Sequence, residues 1–394
     1  MRLAPDPEIE TFRAEFNAFL DANLPGAEEA TDRPKSSSHV PEWARRWQRK
    51  LFDAGWLLPA QPPEYGGRNA TLPQVVAHLE ELSRRRIYHS FNPQGLNIIA
   101  ASLLSFGTEE QKTRWALPIL RAEITASLGM SEPGAGSDLA GLRTRAVLDD
   151  GGTARSSGAE SGGHFVVNGQ KVWTSGAHDA DVLLTFVRTD PEAPKHKGIS
   201  VLLIPTDSEG LVRRPFGSIA APDDLDFNEV FFTDVRVPRE NLVGPLNEGW
   251  RVANGSLGHE RTLLWLHYAE RMDGLIQDAA CDEEWYATLL MDVQALRLLG
   301  YRLLAPDRNP VEISVLKLFG SEACQAADLH ALEAHGPEAL LHPARTGPYT
   351  HMNLEVFTAS WFERYARSFG GTIAGGTSEI QRNIIAERIL GLPR

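Results

Sequence analysis

Residues 256–265 read SLGHERTLLW, which sets a charged trio, His259-Glu260-Arg261, inside an apolar run. A helix over 249–277 would carry Ala253, Leu257, Leu264, Tyr268 and Leu275 on one face at three- and four-residue steps. Glu260 falls on that stripe, between Leu257 and Leu264. The opposite phase would turn Val252, Ser256, His259, Leu263 and Leu266 inward, a less apolar set. The spacing therefore predicts an inward Glu260, where a carboxylate either pairs with a basic group or does acid–base chemistry. A second stretch, GMSEPGAGSDLAG (129–141), has glycines at 129, 134, 136 and 141 with Ser131, Glu132, Ser137 and Asp138 between them. No GK[ST] follows it and no strand-to-helix unit surrounds it, so it is neither a Walker loop nor a dinucleotide GxGxxG. Such a loop is an ordinary turn, or it offers backbone N–H groups and short hydroxyls to a polar ligand.

The elements that must position these residues form three blocks. PEIETFRAEFNAFLDANL, PEWARRWQRKLFDAGW, LPQVVAHLEELSRRRI and TEEQKTRWALPILRA carry apolar residues at helical steps, with breakers such as QPPEYGG between them. From about 128 the character turns to strand. HFVVNGQKVWTS reads as two short β-runs in a hairpin about Asn168-Gly169, followed by DVLLTFV, GISVLLIPT and FNEVFFTDVRV. DDGGTARSSGAESGG reads as an exposed loop. Helical patterns return from about 245 and close with SEIQRNIIAERIL. The predicted organisation is an N-terminal α-helical domain (1–127), a central antiparallel β-domain (128–240) and a C-terminal four-helix-bundle domain (241–394), an α+β multidomain chain.

The 394 residues suit two or three domains of a soluble globular protein, with 42% apolar and 23% charged residues. A net charge of −13 argues against nucleic acid or an anionic membrane as partner. Cys281 and Cys324 lie far apart with no CxxC spacing, which argues against a disulfide framework or a metal site. The start, MRLAPDPEIETF, does not read as a signal or transit peptide, and no run approaches the ~20 apolar residues of a membrane span. A cytoplasmic location is the expectation.

SEPGAGSD (131–138) resembles the first signature of the acyl-CoA dehydrogenase family, and it does not stand alone. GQKVWTSGA (169–177) is similar to the family's flavin-facing strand, FNEVFFTDVRVPRENLVGPLNEGWRVA (227–253) to its β-to-α crossover, and GGTSEIQRNIIAERILG (375–391) to its C-terminal segment. The resemblance implies FAD as cofactor, with Leu128, Met130 and Ser131 lining the isoalloxazine ring and Gly136 and Thr174 also binding the cofactor. Ser137 would lie where flavin and substrate meet. Trp173 would flank the ring, and Ser175 would reach N5. An aromatic face shields a reduced flavin from water, and a hydroxyl at N5 stabilises developing charge. A core aromatic of the hairpin is the competing reading of Trp173. Thr377, Ser378 and Glu379, opening the last helix, would meet the FAD phosphate and ribose region through helix-end N–H groups; Glu379 is acidic where the family often has glutamine.

The resemblance also implies the reaction: removal of an α-proton from an acyl-CoA thioester while hydride leaves the β-carbon. Many family members place the base directly before the Gly-Thr of the C-terminal segment, but that position here is Gly375. A minority, including isovaleryl-CoA and long-chain acyl-CoA dehydrogenases, carries it on the earlier helix before an arginine, where Glu260-Arg261 stands. Glu260 is thus the expected catalytic base, with Leu257, Arg261, Ser137, Gly375 and Gly376 at the substrate. The family's Arg-x-x-Phe-Gly pyrophosphate contact is missing, and its Gln-x-x-Gly-Gly loop appears only as EAHGPEAL (333–340). The expected partners are an acyl-CoA, an electron-transfer flavoprotein, and a second copy or a related chain in a dimer, tetramer or α2β2 heterotetramer. Two competing readings are an oxygen-reacting flavin oxidase or monooxygenase of the same fold, and a non-catalytic subunit of a heteromeric complex.

Overall fold

The computed structural model describes residues 6–149 (except 27, 31, 33 and 86), 163–219, 222–253 (except 224), 264–278, 282–305, 309, 311–341 and 360–393. In chain order it contains helices α1 (Pro7–Asn23), α2 (Glu42–Asp53) and α3 (Leu72–Arg84). Strands follow: β1 (Ala126–Gly129), β2 (Arg145–Asp149), β3 (His164–Lys171), β4 (Val182–Arg188), β5 (Ile199–Pro205), β6 (Leu211–Phe216) and β7 (Phe227–Pro238). Helices α4 (Leu264–Asp278), α5 (Glu283–Leu303), α6 (Glu312–His335), α7 (Trp361–Ile373) and α8 (Ser378–Arg388) close the chain. Short helical turns fill the interval between α3 and β1. Packing divides the chain into two compact units. One comprises Met1–Thr31, Asp53–His89 and His259–Arg394; the other comprises Asp32–Phe52 and Ser90–Gly258. The first helical block contributes to both.

In the helical unit, α1 starts where Asp6 accepts a hydrogen bond from the Glu8 N–H at 3.0 Å and Pro7 supplies a fixed φ. It buries Phe12, Phe16 and Leu20, four residues apart. Trp56 packs on Phe12 and Phe16 with ring centroids 5.0 and 4.7 Å away. The larger core joins Trp265, Tyr268, Met272 and Leu275 of α4 to Leu289, Val293 and Leu296 of α5 and to Leu316 and Ala327 of α6. Each large apolar side chain among them contributes about 1.5–3 kcal/mol on burial. Tyr268 and Leu275 face inward as their spacing predicts and Leu266 of the opposite phase is only partly buried, but Val252 of that phase is as fully buried as Ala253 of the predicted face. Leu257, Glu260 and Arg261 lie outside the described residues.

In the other unit the seven strands run β1-β4-β2-β3-β7-β6, with β5 also paired to β4. The sheet is mostly antiparallel, but β1 runs parallel to β4 (Ala126 opposite Val182) and β2 makes one parallel bridge to β4. Apart from these two pairings the domain is antiparallel, as expected. β4 and β5 are buried on both faces, which explains the continuous apolar runs VLLTFV and ISVLLI. β2 and β6 escape sequence reading because RAVLD and LVRRPF are short and half polar.

Asn168-Gly169 is not a hairpin turn. β3 runs unbroken through it, and the pair forms a bulge against β7, where the register shifts between Val167 and Gly169. The Asn168 amide donates to the Asp234 carboxylate and accepts the Asp234 N–H, both at 2.9 Å. Gly169 has φ +148°, and a Cβ there would lie 2.7 Å from the Thr144 Cα. The dipeptide serves a close approach of strands, which leaves the same local signature as a turn. The DDGGTARSSGAESGG segment lies, from 150 to 162, outside the described residues. Among the described residues no helix is long and apolar enough to cross a membrane.

Candidate active site

β1 is an edge strand, and side-chain amides close its open side. Asn92 accepts the Ala126 N–H at 2.9 Å and donates to the Ala126 carbonyl at 3.0 Å, while Gln94 accepts the Leu128 N–H at 3.0 Å. These contacts hold Leu128, and with it the start of the SEPGAGSD turn, without a further strand. Sequence reasoning missed both amides; FNPQG has no period to betray them. Beyond β1 the chain meets the end of β3. The Val172 N–H donates to the Ser131 carbonyl at 2.9 Å, and the Ser127 hydroxyl to the Ser175 carbonyl at 2.6 Å. Leu128, Met130 and Ser131 therefore lie beside Trp173, Thr174 and Ser175, as two segments forming one surface.

Trp173 is 57% exposed and has φ +60°, a left-handed conformation that is costly for a bulky residue. The reading of Trp173 as a hairpin core aromatic is thereby overturned. Its indole stands edge-on to Phe216 and Phe227, at 5.1 and 5.3 Å. The conformation is imposed from both sides. Asn228 brackets Thr174, accepting its N–H at 3.2 Å through the backbone and donating to its carbonyl at 3.1 Å through the side chain. The Gly176 N–H donates to the Asp226 carbonyl at 2.7 Å, and the Asp226 carboxylate takes the Ser37 N–H and hydroxyl at 2.6 and 2.7 Å. Strain of this kind, held by surrounding bonds, is common at ligand sites.

Beneath this surface lies a charge pair. Lys171, fully buried, donates to Glu132 at 2.8 Å and to the Met130 carbonyl at 3.1 Å. Glu132 also accepts the Arg143 and Thr144 N–H groups at 2.7 and 2.8 Å, and its backbone closes the turn in both directions with Ala135. Burial pushes Lys171 down to about 8, against the pull of Glu132. Burial pushes Glu132 upward, but Lys171 and the two N–H groups outweigh it and hold the carboxyl below its usual range. The pair is ionised at neutral pH. Glu132 is thus tied inward, and Asp138 is tied to Lys195 at 3.0 Å, whereas Gly136 and Ser137 stand exposed.

Among the described residues the hydroxyls of Ser131, Ser137 and Ser175 have no protein partner, and the Thr174 Oγ1 is buried without one. A strained, exposed indole beside unengaged hydroxyls and a part-buried methionine and leucine suits a planar aromatic ligand with polar edge atoms, as a flavin ring is.

In the helical unit, Thr377 caps α8 by accepting the Ile380 N–H at 3.3 Å. Ser378 is buried and its hydroxyl has no partner. Glu379 projects outward with Arg382 3.8 Å away. Gly375 and Gly376 have φ +68° and +96°, and the Gln381 amide donates to both carbonyls at 3.2 and 3.3 Å. These residues open the last helix, as the resemblance implies.

Models of the N-terminal, middle and C-terminal domains of acyl-CoA dehydrogenases match residues 6–123, 127–235 and 247–390. The chain is 36% identical over 403 residues to "Acyl-CoA dehydrogenase IpdE1" of Mycolicibacterium smegmatis, covering 98% of each. The chain belongs to the acyl-CoA dehydrogenase family. A second relative of this flavoprotein family, "Acyl-CoA dehydrogenase FadE26" of Mycobacterium tuberculosis, is 32% identical, over 100% of this chain and 99% of its own. Among solved structures, the ChsE4-ChsE5 complex from Mycobacterium tuberculosis superposes with a TM-score of 0.75 at 31% identity, each chain covered in full. A structure named "Tcur3481-Tcur3483 steroid ACAD" gives 0.77 at 28%, again with each chain covered in full. The helices–sheet–helices order is that of the acyl-CoA dehydrogenase fold, and the enzyme class read from the sequence is that of its relatives.

Proposed function

We propose that this enzyme is an FAD-dependent acyl-CoA dehydrogenase that introduces an α,β double bond into a bulky acyl-CoA thioester. The observation that carries the cofactor reading is the surface formed by Leu128–Ser131 and Trp173–Ser175, with its strained indole and unengaged hydroxyls. FAD, when bound, supplies the acceptor for the β-hydride. Glu260 takes the α-proton, since Gly375 leaves the commoner position without a carboxylate. Trp173 excludes water from one side of the ring, and the Ser131 and Ser175 hydroxyls donate to its polar edge. The Thr377–Glu379 helix start meets the phosphates.

A steroid-type thioester is the favoured substrate class, because one similar solved structure is named a steroid ACAD. Two similar structures carry paired names. Together with the missing Arg-x-x-Phe-Gly motif, they support assembly with a related chain that lends the pyrophosphate contact. A homo-oligomer with loosely held flavin is the competing assembly, and an electron-transfer flavoprotein is the proposed electron acceptor.

The test is anaerobic bleaching of the reconstituted flavin by a panel of CoA thioesters, with straight-chain, branched and steroid side-chain members. Wild type reduces with the steroid-type members; Glu260→Gln retains FAD and loses about 10²–10⁴-fold in reduction rate. Near-wild-type reduction by that variant would move the base elsewhere.

A further inference from the structure

We propose that Lys171 is a positioning residue: through Glu132 and the Met130 carbonyl it locks the turn carrying Met130, Ser131, Gly136 and Ser137 against the Trp173–Ser175 segment, and so sets how tightly the flavin is held. This rests on the FAD reading above. Lys171 ends β3, where its backbone pairs with Val230 of β7, so its stem starts from a rigid sheet. Its ammonium reaches across to two points of the neighbouring segment, the Met130 carbonyl and the Glu132 carboxylate. Glu132 in turn grips Arg143 and Thr144 at the far end of the glycine-rich stretch. One cation thus ties both ends of the turn to the strand that presents Trp173.

Stability alone does not explain such a pair, because a well-packed apolar side chain of similar volume commonly serves a core as well or better. What the ion pair adds is directional restraint on a glycine-rich backbone that has few contacts of its own: a Cβ at Gly134 or Gly136 would meet nothing within 4 Å. Arg188 of β4 is the other charge acting on this site. It draws on Glu132 electrostatically while donating to the Leu142 and Ala140 carbonyls. The Lys195–Asp138 pair lies on the exposed outer side of the turn. Because Lys171 sits near 8, its charge is lost over mildly alkaline pH, well before that of an ordinary lysine.

The experiment is a titration of the apo-protein with FAD, followed by flavin fluorescence, from neutral pH to about pH 9.5. It is run on wild type, Lys171→Met and Lys171→Arg, with apo-protein melting as the control for folding. Wild type should weaken by about tenfold across that range, the loss of one charge-assisted bond. Lys171→Met should bind weakly at every pH with a flat profile, and Lys171→Arg should hold its affinity at alkaline pH. A wild-type profile that is flat, or a folded Lys171→Met with wild-type affinity and pH dependence, overturns the proposal while leaving the FAD reading intact. Failure of wild type to bind FAD at any pH overturns the FAD reading, and this proposal with it.

Discussion

Trp173 shows how one residue can be unfavourable for the fold and useful for the site. Its φ of +60° costs of the order of 1–3 kcal/mol, and more than half of its surface remains in water. Replacement by glycine relieves the backbone and forfeits the edge contacts with Phe216 and Phe227, worth about 0.5–1.5 kcal/mol each. Trp173→Gly is therefore expected to melt within a few degrees of wild type while binding FAD more weakly. A large fall in melting temperature would show that the contacts with Phe216 and Phe227 outweigh the backbone strain. Gly375 is the second informative residue. A Cβ there meets nothing within 4 Å, so Gly375→Glu has room for its side chain, but φ +68° imposes a penalty of about 1–2 kcal/mol. The change should partly restore flavin reduction to Glu260→Gln at some loss of stability. A doubly substituted protein that folds, binds FAD and remains inert would show that a carboxylate at this position does not reach the substrate.

At the scale of elements, the glycine at 300 decides how closely α4 and α5 approach. A Cβ at that position would lie 2.1 Å from the Trp265 ring, and Trp265 is fully buried. Gly300→Ala should destabilise the helical unit by roughly 1–3 kcal/mol, the usual effect of overpacking, although alanine is the better helix former by nearly 1 kcal/mol. Chemical denaturation reads the sign directly; a stabilised variant would mean that the helices part without difficulty. The same close approach explains why α5 carries a glycine in its last turn, a feature that propensity alone counts against it. The bulge in β3 makes the corresponding point for the sheet: Asn168-Gly169 serves strand pairing, not chain reversal.

At the scale of the molecule, pH acts on the helical unit through His78. The ring is buried, 4.3 Å from Phe16, with Nε2 2.9 Å from the Trp56 carbonyl and Nδ1 without a partner. Burial is the main cause that brings its pKa down to about 3, with His89 and Arg68 adding to it against the Trp56 carbonyl. The unfolded chain binds this proton below about 6.5 and the folded chain does not, so stability is present above that pH and is lost as pH falls toward 3. Between neutral pH and pH 4.5 the loss is of the order of 2–3 kcal/mol. Melting of wild type should fall over this window, and His78→Gln should flatten the fall; an unchanged slope would place the acid sensitivity elsewhere.

Local pattern was enough for the helices α1, α4 and α5 and for the apolar strands β4 and β5, and the resemblance of four short motifs pointed to the family. Each depends on residues a few positions apart. Sequence also excluded Gly375 as a base, because a residue type that has no carboxylate cannot supply one wherever it lies. Tertiary structure decided the rest. Asn92 and Gln94 close the edge of β1 from more than 30 residues away, Lys171 reaches the SEPGAGSD turn across a gap of 39 residues, and Asn228 brackets Thr174 from a distant strand. Side-chain bonds across such separations leave no period in the chain, since any residue of the right chemistry can make them once the fold has brought it near. For the same reason a lysine inside GQKVWTSGA reads as one polar residue among others, and only its complete burial beside Glu132 revealed what it does.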